Sequence, residues 1–404
     1  MTVTNNFSRG TRGTINLNAG GTLQIGTGTT TGTLLGGTGN LTNNGTLIFK
    51  RSNASSHSGV LSGSGVLEKQ GTGTLTLSGA NTYSGGTKIS AGTLAVGNAN
   101  ALGTGGLTVN GGTLDLKGTG VSVSDLSGTS TSGVITSSVA AAVTLTASSA
   151  SNSSFAGVIQ NGSGTMSLAK GGSGTLTLTG TNTYSGATTV TAGLLTVNGD
   201  ISRSSLTTVG AGATLGGSGT IGALVVENGA TIAPGNSPGT LWASGNVTWQ
   251  AGGNYNWQLV DALGTAGTGW DFLAIGGALD LTALSSANPF NLNLWSLSSA
   301  EATTGVAQNF SSGSPISWTI ATALGGITGF NAGNFRIHTA ATNGTSGFTN
   351  DLSGGTFSLA VVDGNKLNLV YQQTSAVPEP SGHLALLGLG SAGLLTRRRL
   401  KRKA

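Results

Sequence analysis

The chain has 404 residues, of which 72 are glycine, only 7% are charged and none is cysteine, which excludes disulfide scaffolds, thiolate metal sites and thiol catalysis. Six of the 17 Lys and Arg residues lie in residues 377–404 together with one acid, so residues 1–376 carry 11 bases and 11 acids. Nucleic-acid binding depends on clustered Lys and Arg residues. The neutral charge balance of residues 1–376 therefore excludes nucleic acid as a partner.

Two stretches in the first half of the chain repeat each other. Residues 71–97 and 172–198 align without a gap and are identical at 17 of 27 positions. Within each, threonine alternates with apolar residues, which predicts that Leu75 and Leu77 share a buried face of a strand. The unit Gly-Thr-apolar recurs about every 20 residues around both copies. Short strands at this spacing predict a solenoid of stacked coils.

The motif NTYSG occurs in both copies, at Asn81–Gly85 and at Asn182–Gly186. Together with the preceding GTGTLTLSGA, it resembles the autotransporter-associated β-strand repeat. The resemblance implies an all-β fold, namely a right-handed parallel β-helix, which we expect over residues 1–245.

The C-terminal third has a different composition, since all six tryptophans lie between Trp242 and Trp318. Aromatic residues alternate with amides in the segment 255–259 (YNWQL), and residues 290–294 alternate in the same way, which predicts one buried face for each. We predict that residues 246–376 form a β-rich cap of larger antiparallel strands over the open end of the solenoid, with the last strand at 366–371. In a carbohydrate-binding alternative, Trp295 and Trp318 would be exposed platforms, but the alternation favours core positions.

Two short segments match motifs of known catalytic or cofactor sites, but the residues around them do not fit those sites. Residues 235–239 match G-x-S-x-G, but Pro238 lacks the N–H that the oxyanion hole requires, and a strand-like segment follows instead of a helix. Residues 217–222 match G-x-G-x-x-G at the frequency expected by chance in a glycine-rich chain. His57 and His338 are not part of a ligand cluster. We therefore predict no cofactor, no metal and no catalytic residues.

The acidic residues provide the test of an enzymatic alternative. Polysaccharide hydrolases place two carboxyl groups around the scissile bond. The aspartates at 115, 125, 200, 261, 271 and 280 include no local pair. The sequence thus favours a protein that is not an enzyme, and acids clustered in a groove along one face would instead favour a polysaccharide-active β-helix.

The last 28 residues combine three features in a fixed order. A Val-Pro-Glu-Pro-Ser motif is followed by an apolar segment at 382–396, which is shorter than the roughly 20 residues that span a bilayer comfortably, and then by a basic cluster that is retained in the cytoplasm. The motif residues are Val377, Pro378, Glu379, Pro380 and Ser381, and the basic cluster consists of Arg397, Arg398, Arg399, Lys401, Arg402 and Lys403.

This order resembles the PEP-CTERM sorting signal of Gram-negative bacteria. The resemblance implies a short transmembrane helix that holds the chain transiently in the inner membrane, and an exosortase-type membrane protease as a partner. It further implies release to the cell surface, the outer membrane or the extracellular matrix, with extracellular polysaccharide as a possible partner.

Together these features predict an exported, surface-displayed or matrix-associated structural protein of adhesin-like character. The alternative is a polysaccharide-active or carbohydrate-binding β-helix protein. Residues 1–30 contain no apolar core of a secretory signal peptide. Because the sorting signal requires export, we expect the natural start of the protein to lie upstream of Met1.

Overall fold

The structure is a computed structural model that describes residues 2–3, 6–7, 15–298, 303–340 and 347–373. The predicted sorting signal at 377–404, including its transmembrane segment, lies outside these residues. Within the described ranges, no helix is long and apolar enough to cross a membrane. These ranges contain strands and two short 3-10 helices but no α-helix, as the prediction of an all-β fold requires.

The strands are short and follow one another along the whole described chain. In the first third they are β1 (Thr2–Val3), β2 (Asn6–Phe7), β3 (Ile15–Leu17), β4 (Thr22–Ile25), β5 (Thr33–Leu34), β6 (Leu41–Asn43), β7 (Thr46–Phe49), β8 (Ser55–His57), β9 (Leu61–Ser62), β10 (Val66–Lys69), β11 (Thr74–Leu77), β12 (Thr87–Ile89), β13 (Thr93–Val96), β14 (Leu107–Val109), β15 (Thr113–Asp115), β16 (Val121–Val123), β17 (Leu126–Ser127) and β18 (Val134–Thr136), with a 3-10 helix at Leu35–Gly37.

The remaining strands are longer on average towards the C-terminus. They are β19 (Ala142–Ser148), β20 (Ser153–Phe155), β21 (Val158–Ile159), β22 (Thr165–Gly171), β23 (Thr175–Leu178), β24 (Thr188–Val190), β25 (Gly193–Val197), β26 (Asp200–Ile201), β27 (Thr207–Val209), β28 (Ala213–Gly217), β29 (Thr220–Ile221), β30 (Leu224–Val226), β31 (Thr231–Pro234), β32 (Thr240–Ala243), β33 (Val247–Trp249), β34 (Asn254–Leu259), β35 (Phe272–Ile275), β36 (Leu279–Asp280), β37 (Phe290–Ser296), β38 (Ile316–Ala323), β39 (Ile327–Thr328), β40 (Phe335–His338), β41 (Thr356–Val362) and β42 (Lys366–Gln372), with a 3-10 helix at Ala332–Asn334.

These strands stack in parallel sheets, each coil of the chain adding one strand to each sheet. From β26 to β40 the chain visits a seven-stranded, a nine-stranded and an eight-stranded sheet in turn. The eight-stranded sheet has the order β20-β23-β25-β28-β31-β34-β37-β40. The first half is built in the same way from sheets such as β1-β4-β7-β10-β12-β14-β17. The described chain is therefore solenoid-like, as predicted.

Equivalent apolar residues of successive coils stack inside the solenoid. Leu75 of β11 pairs with Leu94 of β13, which pairs with Leu114 of β15, and all three are at most 1% exposed. Their chain separations of 19 and 20 residues match the predicted coil length. Thr74 and Thr76 lie on the opposite face and are half-buried. Because every coil repeats this alternation, the apolar side chains merge into one continuous core.

Glycine is required at the corner before the second strand of each repeat. Gly92 and Gly193 occupy equivalent positions and have φ angles of +66° and +65°. A Cβ atom at Gly193 would lie 2.5 Å from the carbonyl oxygens of Gly172 and Gly174 in the preceding coil. Both the backbone conformation and the close approach therefore exclude a larger residue at this corner.

Buried polar side chains of the NTYSG motif join the coils. Asn81 accepts a hydrogen bond from the Leu61 amide (2.9 Å) and donates to the Ala101 carbonyl (2.7 Å), which ties together three coils. Tyr83 and Thr87, both buried, share a hydrogen bond of 2.6 Å. The second copy repeats the Tyr–Thr pair and uses Asn182 in the same way. The motif thus satisfies buried backbone groups at a corner of the coil.

The C-terminal third corrects the prediction of antiparallel strands. The pairs β34–β37, β35–β38 and β37–β40 are parallel, and among the strand pairs of the described residues only β38–β42 and β41–β42 are antiparallel. Parallel neighbours need a crossover connection, and here the rest of each coil provides it. The long loops between strands enlarge the coil without reversing its strands. The strand direction reverses after β41, where Asp363 and Gly364 both have the positive φ of a tight hairpin turn.

The predicted buried faces of this region are confirmed. Tyr255, Trp257 and Leu259 are fully buried. The alternating residues of β37 behave alike, since Phe290 and Leu292 are at most 2% exposed. The Trp249 ring stacks on Phe290 with a centroid distance of 4.5 Å. The predicted last strand coincides with β42.

Candidate binding groove on the outer face of the last coils

The outward face of the eight-stranded sheet carries two rows of polar side chains in its last coils. The pleat of β34 directs Tyr255 and Trp257 inward, so that Asn254 and Asn256 point outward. The strand register places Asn254 beside Asn291, and Asn291 beside Arg336. It forms a second row in the same way from Asn256, Asn293 and His338.

These rows line a polar cavity of about 310 Å³ on the solvent side of the sheet. We call this cavity the amide groove, and its lining residues are Thr231, Asn254, Asn256, Asn291, Asn293, Arg336 and His338. Arg336 is exposed, whereas Asn293 is only 7% exposed. The volume lies at the lower end of the range of small-molecule sites. Its lining contains one permanent positive charge and no carboxylate.

Hydrogen bonds between coils hold the amides in fixed orientations. In the first row, Asn291 donates from Nδ2 to Oδ1 of Asn254 (3.1 Å), and Asn254 donates to the Ala230 carbonyl (3.0 Å). In the second row, Asn293 donates from Nδ2 to Oδ1 of Asn256 (2.9 Å). His338 contacts Oδ1 of Asn291 through Nε2 at 3.1 Å. The groove is therefore preorganised by its own side chains.

A second cavity of about 300 Å³ adjoins the amide groove and shares Asn256 with it. Gln258, Asp271 and Trp295 line this cavity together with the loop around Ser237. Asp271 is 2% exposed and accepts hydrogen bonds from the amides of Gly239 (2.9 Å) and Gln258 (3.0 Å). Burial raises the pKa of Asp271 well above its usual range, and the two amide donors offset only part of this effect.

Asp271 therefore joins two coils, a role that the sequence did not reveal. Its carboxylate holds the segment 235–239 against β34, across a chain separation of 32 residues for the Gly239 contact. The nucleophile-elbow interpretation of Ser237 fails here as expected, since β32 follows the segment and no helix does. The segment forms a turn with a cis peptide bond before Pro238.

Two further surfaces stand out on the described solenoid. Trp242 is 55% exposed and borders an apolar cavity of about 240 Å³ with Ala274 and Leu324. A cleft of about 570 Å³ runs over Gly85–Lys88 and Ser151–Ser154. Each of these clefts, like the two cavities above, contains at most one carboxylate, which is Asp125 in the large cleft and Asp271 beside the amide groove. No pair of acids therefore faces any of them.

The two tryptophans considered as sugar platforms are both buried. Trp318 is fully buried in the core and donates from Nε1 to the Ala262 carbonyl (3.0 Å). Trp295 is 6% exposed and forms part of a cavity wall. His57 is 1% exposed and lies near the Phe49 ring, which places it in the core of the first coils. In the described ranges, no cluster of three or more His, Asp or Glu side chains is arranged to hold a metal ion.

Comparison with known families agrees with this architecture and extends to the C-terminal tail. The profile of the passenger-associated-transport-repeat matches residues 67–96 and 168–197, which fold here as stacked coils. The profile of the PEP-CTERM protein-sorting motif matches residues 376–399. The chain carries both elements. The sorting motif marks it as an exported, cell-surface protein.

One relative among known proteins is the adhesin BmaC autotransporter of Brucella suis biovar 1 (strain 1330). It is 56% identical to this chain over 61 residues. The aligned region covers 15% of this chain and 2% of the adhesin. The chain therefore spans only a small fraction of that relative.

The passenger-associated repeats begin four residues before the repeated stretches 71–97 and 172–198, and they include two buried lysines in equivalent positions. Lys170 donates from Nζ to the carbonyls of Gly171 (2.7 Å) and Ala192 (3.1 Å). Lys69 contacts Gly71 and Ala91 in the same way. Burial lowers the pKa of Lys69 to about 8. The lysine of each repeat thus binds carbonyl groups of two successive coils at a corner.

The sequence pattern placed Asn256, Asn291 and Asn293 opposite the predicted buried faces, but it did not include Asn254 and did not bring these residues together with Arg336 and His338. The alternation of amides with aromatic residues in β34 and β37 was the available signal. The segment Phe335–His338 shows the same alternation in a shorter form. In stacked coils each outward residue has a neighbour in the next coil. Applying this rule to β34, β37 and β40 would have placed the three segments side by side.

Proposed function

We propose that this protein is an adhesin-like structural protein that an exosortase-type enzyme sorts to the cell surface. The matched sorting motif at 376–399, directly after the described solenoid, carries the proposal. The passenger-associated repeats and the partial likeness to an adhesin support it. In this proposal the solenoid acts as a spacer that displays its outer faces away from the cell.

The proposal assigns a role to each part of the chain. Residues 1–245 form a right-handed parallel β-helix, the handedness that crossover connections favour. Residues 246–376 end it as a cap, in which the parallel coils continue to β40 and the antiparallel pair β41–β42 covers the last parallel strand of its sheet. Residues 382–396 hold the chain transiently in the inner membrane, and the basic cluster at 397–403 marks the cytoplasmic side. Residues 377–381 form the recognition motif of the protease.

The test is mass spectrometry of the C-terminus of the protein recovered from surface and inner-membrane fractions of its native cells. Loss of the basic tail with the body at the surface supports sorting by proteolysis. An intact Ala404 confined to the inner membrane contradicts it. Replacing Pro378 and Pro380 by alanine should retain the unprocessed chain in the membrane, whereas the matched change Pro315→Ala in an exposed loop should leave processing unchanged.

Carbohydrate binding is a second candidate function, and the amide groove is the observation that favours it. A glycosidase-type reaction would need two carboxyl groups on either side of a bound sugar bond. The described clefts offer one or none. Binding without hydrolysis is therefore the form of this alternative that the site supports.

A further inference from the structure

We infer that the amide groove binds an acidic saccharide, that is, a glycan segment containing uronic acid residues. The inference rests on the second candidate function, carbohydrate binding, and names the class of saccharide for the same groove. It rests on the donors and acceptors that the amide ladders leave open, on the charge of the groove and on the pairing of its strands.

The second row of the groove has one open donor and one open acceptor. Asn293 uses Nδ2 to donate to Oδ1 of Asn256, so the Asn293 carbonyl oxygen and the Asn256 Nδ2 group remain for a ligand. Neither of these two atoms has a hydrogen-bond partner among the residues that the structure describes. A sugar hydroxyl both donates and accepts. Adjacent open donors and acceptors on neighbouring coils therefore suit a polyhydroxylated ligand.

The first row fixes the hydrogen-bonding role of His338. Because Asn291 donates through Nδ2 to Asn254, its Oδ1 atom must accept, and the proton of His338 is therefore on Nε2. Burial and the nearby Arg336 lower the pKa of His338, so the ring is neutral at pH 7 and its Nδ1 atom is an acceptor. This adds a third oriented group to the groove.

The charge of the groove selects the acidic class of saccharide. The exposed guanidinium of Arg336 is the permanent charge of the lining, and no carboxylate opposes it. A guanidinium presents paired N–H donors that match the two oxygens of a carboxylate. A uronic acid offers this carboxylate on the same ring as its hydroxyl groups.

The pairing and spacing of the strands favour a saccharide over a peptide. Peptides commonly bind by adding a strand to a free sheet edge. β34 and β37 are paired on both sides, and although β40 ends the sheet, the groove is lined by side chains on the outward face of these strands. The lining is polar throughout, which leaves no apolar pocket for a peptide side chain. Successive coils lie about 4.8 Å apart, close to the length of one sugar ring. Neighbouring sugar units can therefore meet equivalent groups on neighbouring coils.

Isothermal titration calorimetry on the purified full-length chain tests the inference, with a tetramer of galacturonic acid as the probe and a tetramer of glucose as its neutral match. We expect the acidic tetramer to bind at least about tenfold more tightly than the neutral one, since a charge-assisted bidentate pair contributes that much. Equal binding of the two, or no binding of the acidic tetramer, would overturn the inference.

Two variants with matched controls locate the binding site. Arg336→Gln removes the guanidinium, and Asn256→Asp keeps the acceptor for Asn293 but replaces the open donor with a negative charge. Each should weaken binding of the acidic tetramer by about tenfold or more. Arg203→Gln and Asn44→Asp make the same changes at exposed positions outside the groove and should stay within about twofold of the parent. Equal losses in variants and controls would indicate non-specific charge attraction.

A competition experiment separates a saccharide site from a simple anion site. Inorganic phosphate at the concentration of the acidic tetramer should not displace it, and displacement would contradict the inference. All outcomes are independent of the cell fractionation described above. Sorting to the surface without binding of the acidic tetramer would support the proposed function and contradict this inference. Binding of the acidic tetramer without sorting would support this inference and contradict the proposed function.

Discussion

The phenolic oxygen of Tyr184 lies 2.6 Å from Oγ1 of Thr188 in the buried corner of the second repeat. Tyr83 and Thr87 form the same contact at 2.6 Å in the first repeat. Thr188 also shares a hydrogen bond of 2.9 Å with Ser204 in the next coil. The hydroxyl groups of the repeat motif therefore link successive coils inside the solenoid.

Removing the phenolic hydroxyl should destabilise the solenoid. We expect Tyr184→Phe to lower the free energy of unfolding by about 1–2 kcal/mol, because a buried hydrogen bond is lost without loss of apolar area. Chemical denaturation measures this change. Thr189→Val, at a half-buried outward position of β24 next to Thr188, is the control and should stay within about 0.5 kcal/mol. An unchanged stability in Tyr184→Phe would show that the pair is dispensable.

Alanine substitutions at Gly193 and Gly212 distinguish the cost of backbone strain from the cost of steric collision. Both have a positive φ, but a Cβ atom at Gly212 would meet no atom within 4 Å, whereas one at Gly193 would collide with the carbonyls of the preceding coil. Gly212→Ala should cost only the strain of about 1–2 kcal/mol. Gly193→Ala should cost at least about 2 kcal/mol more, in the range that core disruption produces. Thermal and denaturant unfolding of both variants measure the difference, and equal costs would contradict the stacking geometry.

The buried imidazole of His57 should make the protein sensitive to acid. Burial lowers the pKa of His57 from 6.5 to about 4, an effect that the nearby Leu34 backbone offsets only in part. Because the folded pKa lies below the unfolded one, the contribution is fully present above pH 6.5 and is lost as the pH falls towards 4. The loss amounts to about 3 kcal/mol at 1.36 kcal/mol per pKa unit.

The His57→Leu variant isolates this contribution from that of other titrating groups. The difference in unfolding free energy between the parent and the variant should change by about 3 kcal/mol between pH 7 and pH 4, with the parent losing stability. Urea denaturation at a series of pH values gives this difference. A difference that does not vary with pH would mean that His57 titrates normally.

Asp271 should protect the two amides that it binds. We expect Asp271→Ala to increase the hydrogen exchange of the Gly239 and Gln258 amides by about tenfold or more, because both lose their buried acceptor and the segment 235–239 opens locally. Exchange followed by mass spectrometry resolves these peptides. Asp280→Ala is the control. The Asp280 side chain accepts hydrogen bonds from Thr282 in its own turn, so this variant should leave both amides unchanged. Protection that persists in Asp271→Ala would refute the role of this carboxylate.

Much of the first half follows from the sequence, because its signals are local and repeat. The alternation of Leu75 and Leu77 with threonine defines a strand with one buried face, and the spacing of 19 to 20 residues defines the coil. Stacking such coils pairs Leu75 with Leu94, as observed. A residue such as Asn81 could not be assigned in this way, because its contacts with Leu61 and Ala101 lie in other coils.

The sequence by itself determined which residues of the last coils face the core, since the period of a strand fixes this locally for Tyr255, Trp257 and Leu292. Only the tertiary structure decided the strand direction and the composition of the amide groove. Asn254, Asn291 and Arg336 are separated by 37 and 45 residues, and no constant period connects them. Their alignment depends on how each loop of different length closes onto the same core, and this closure is a property of the packed solenoid.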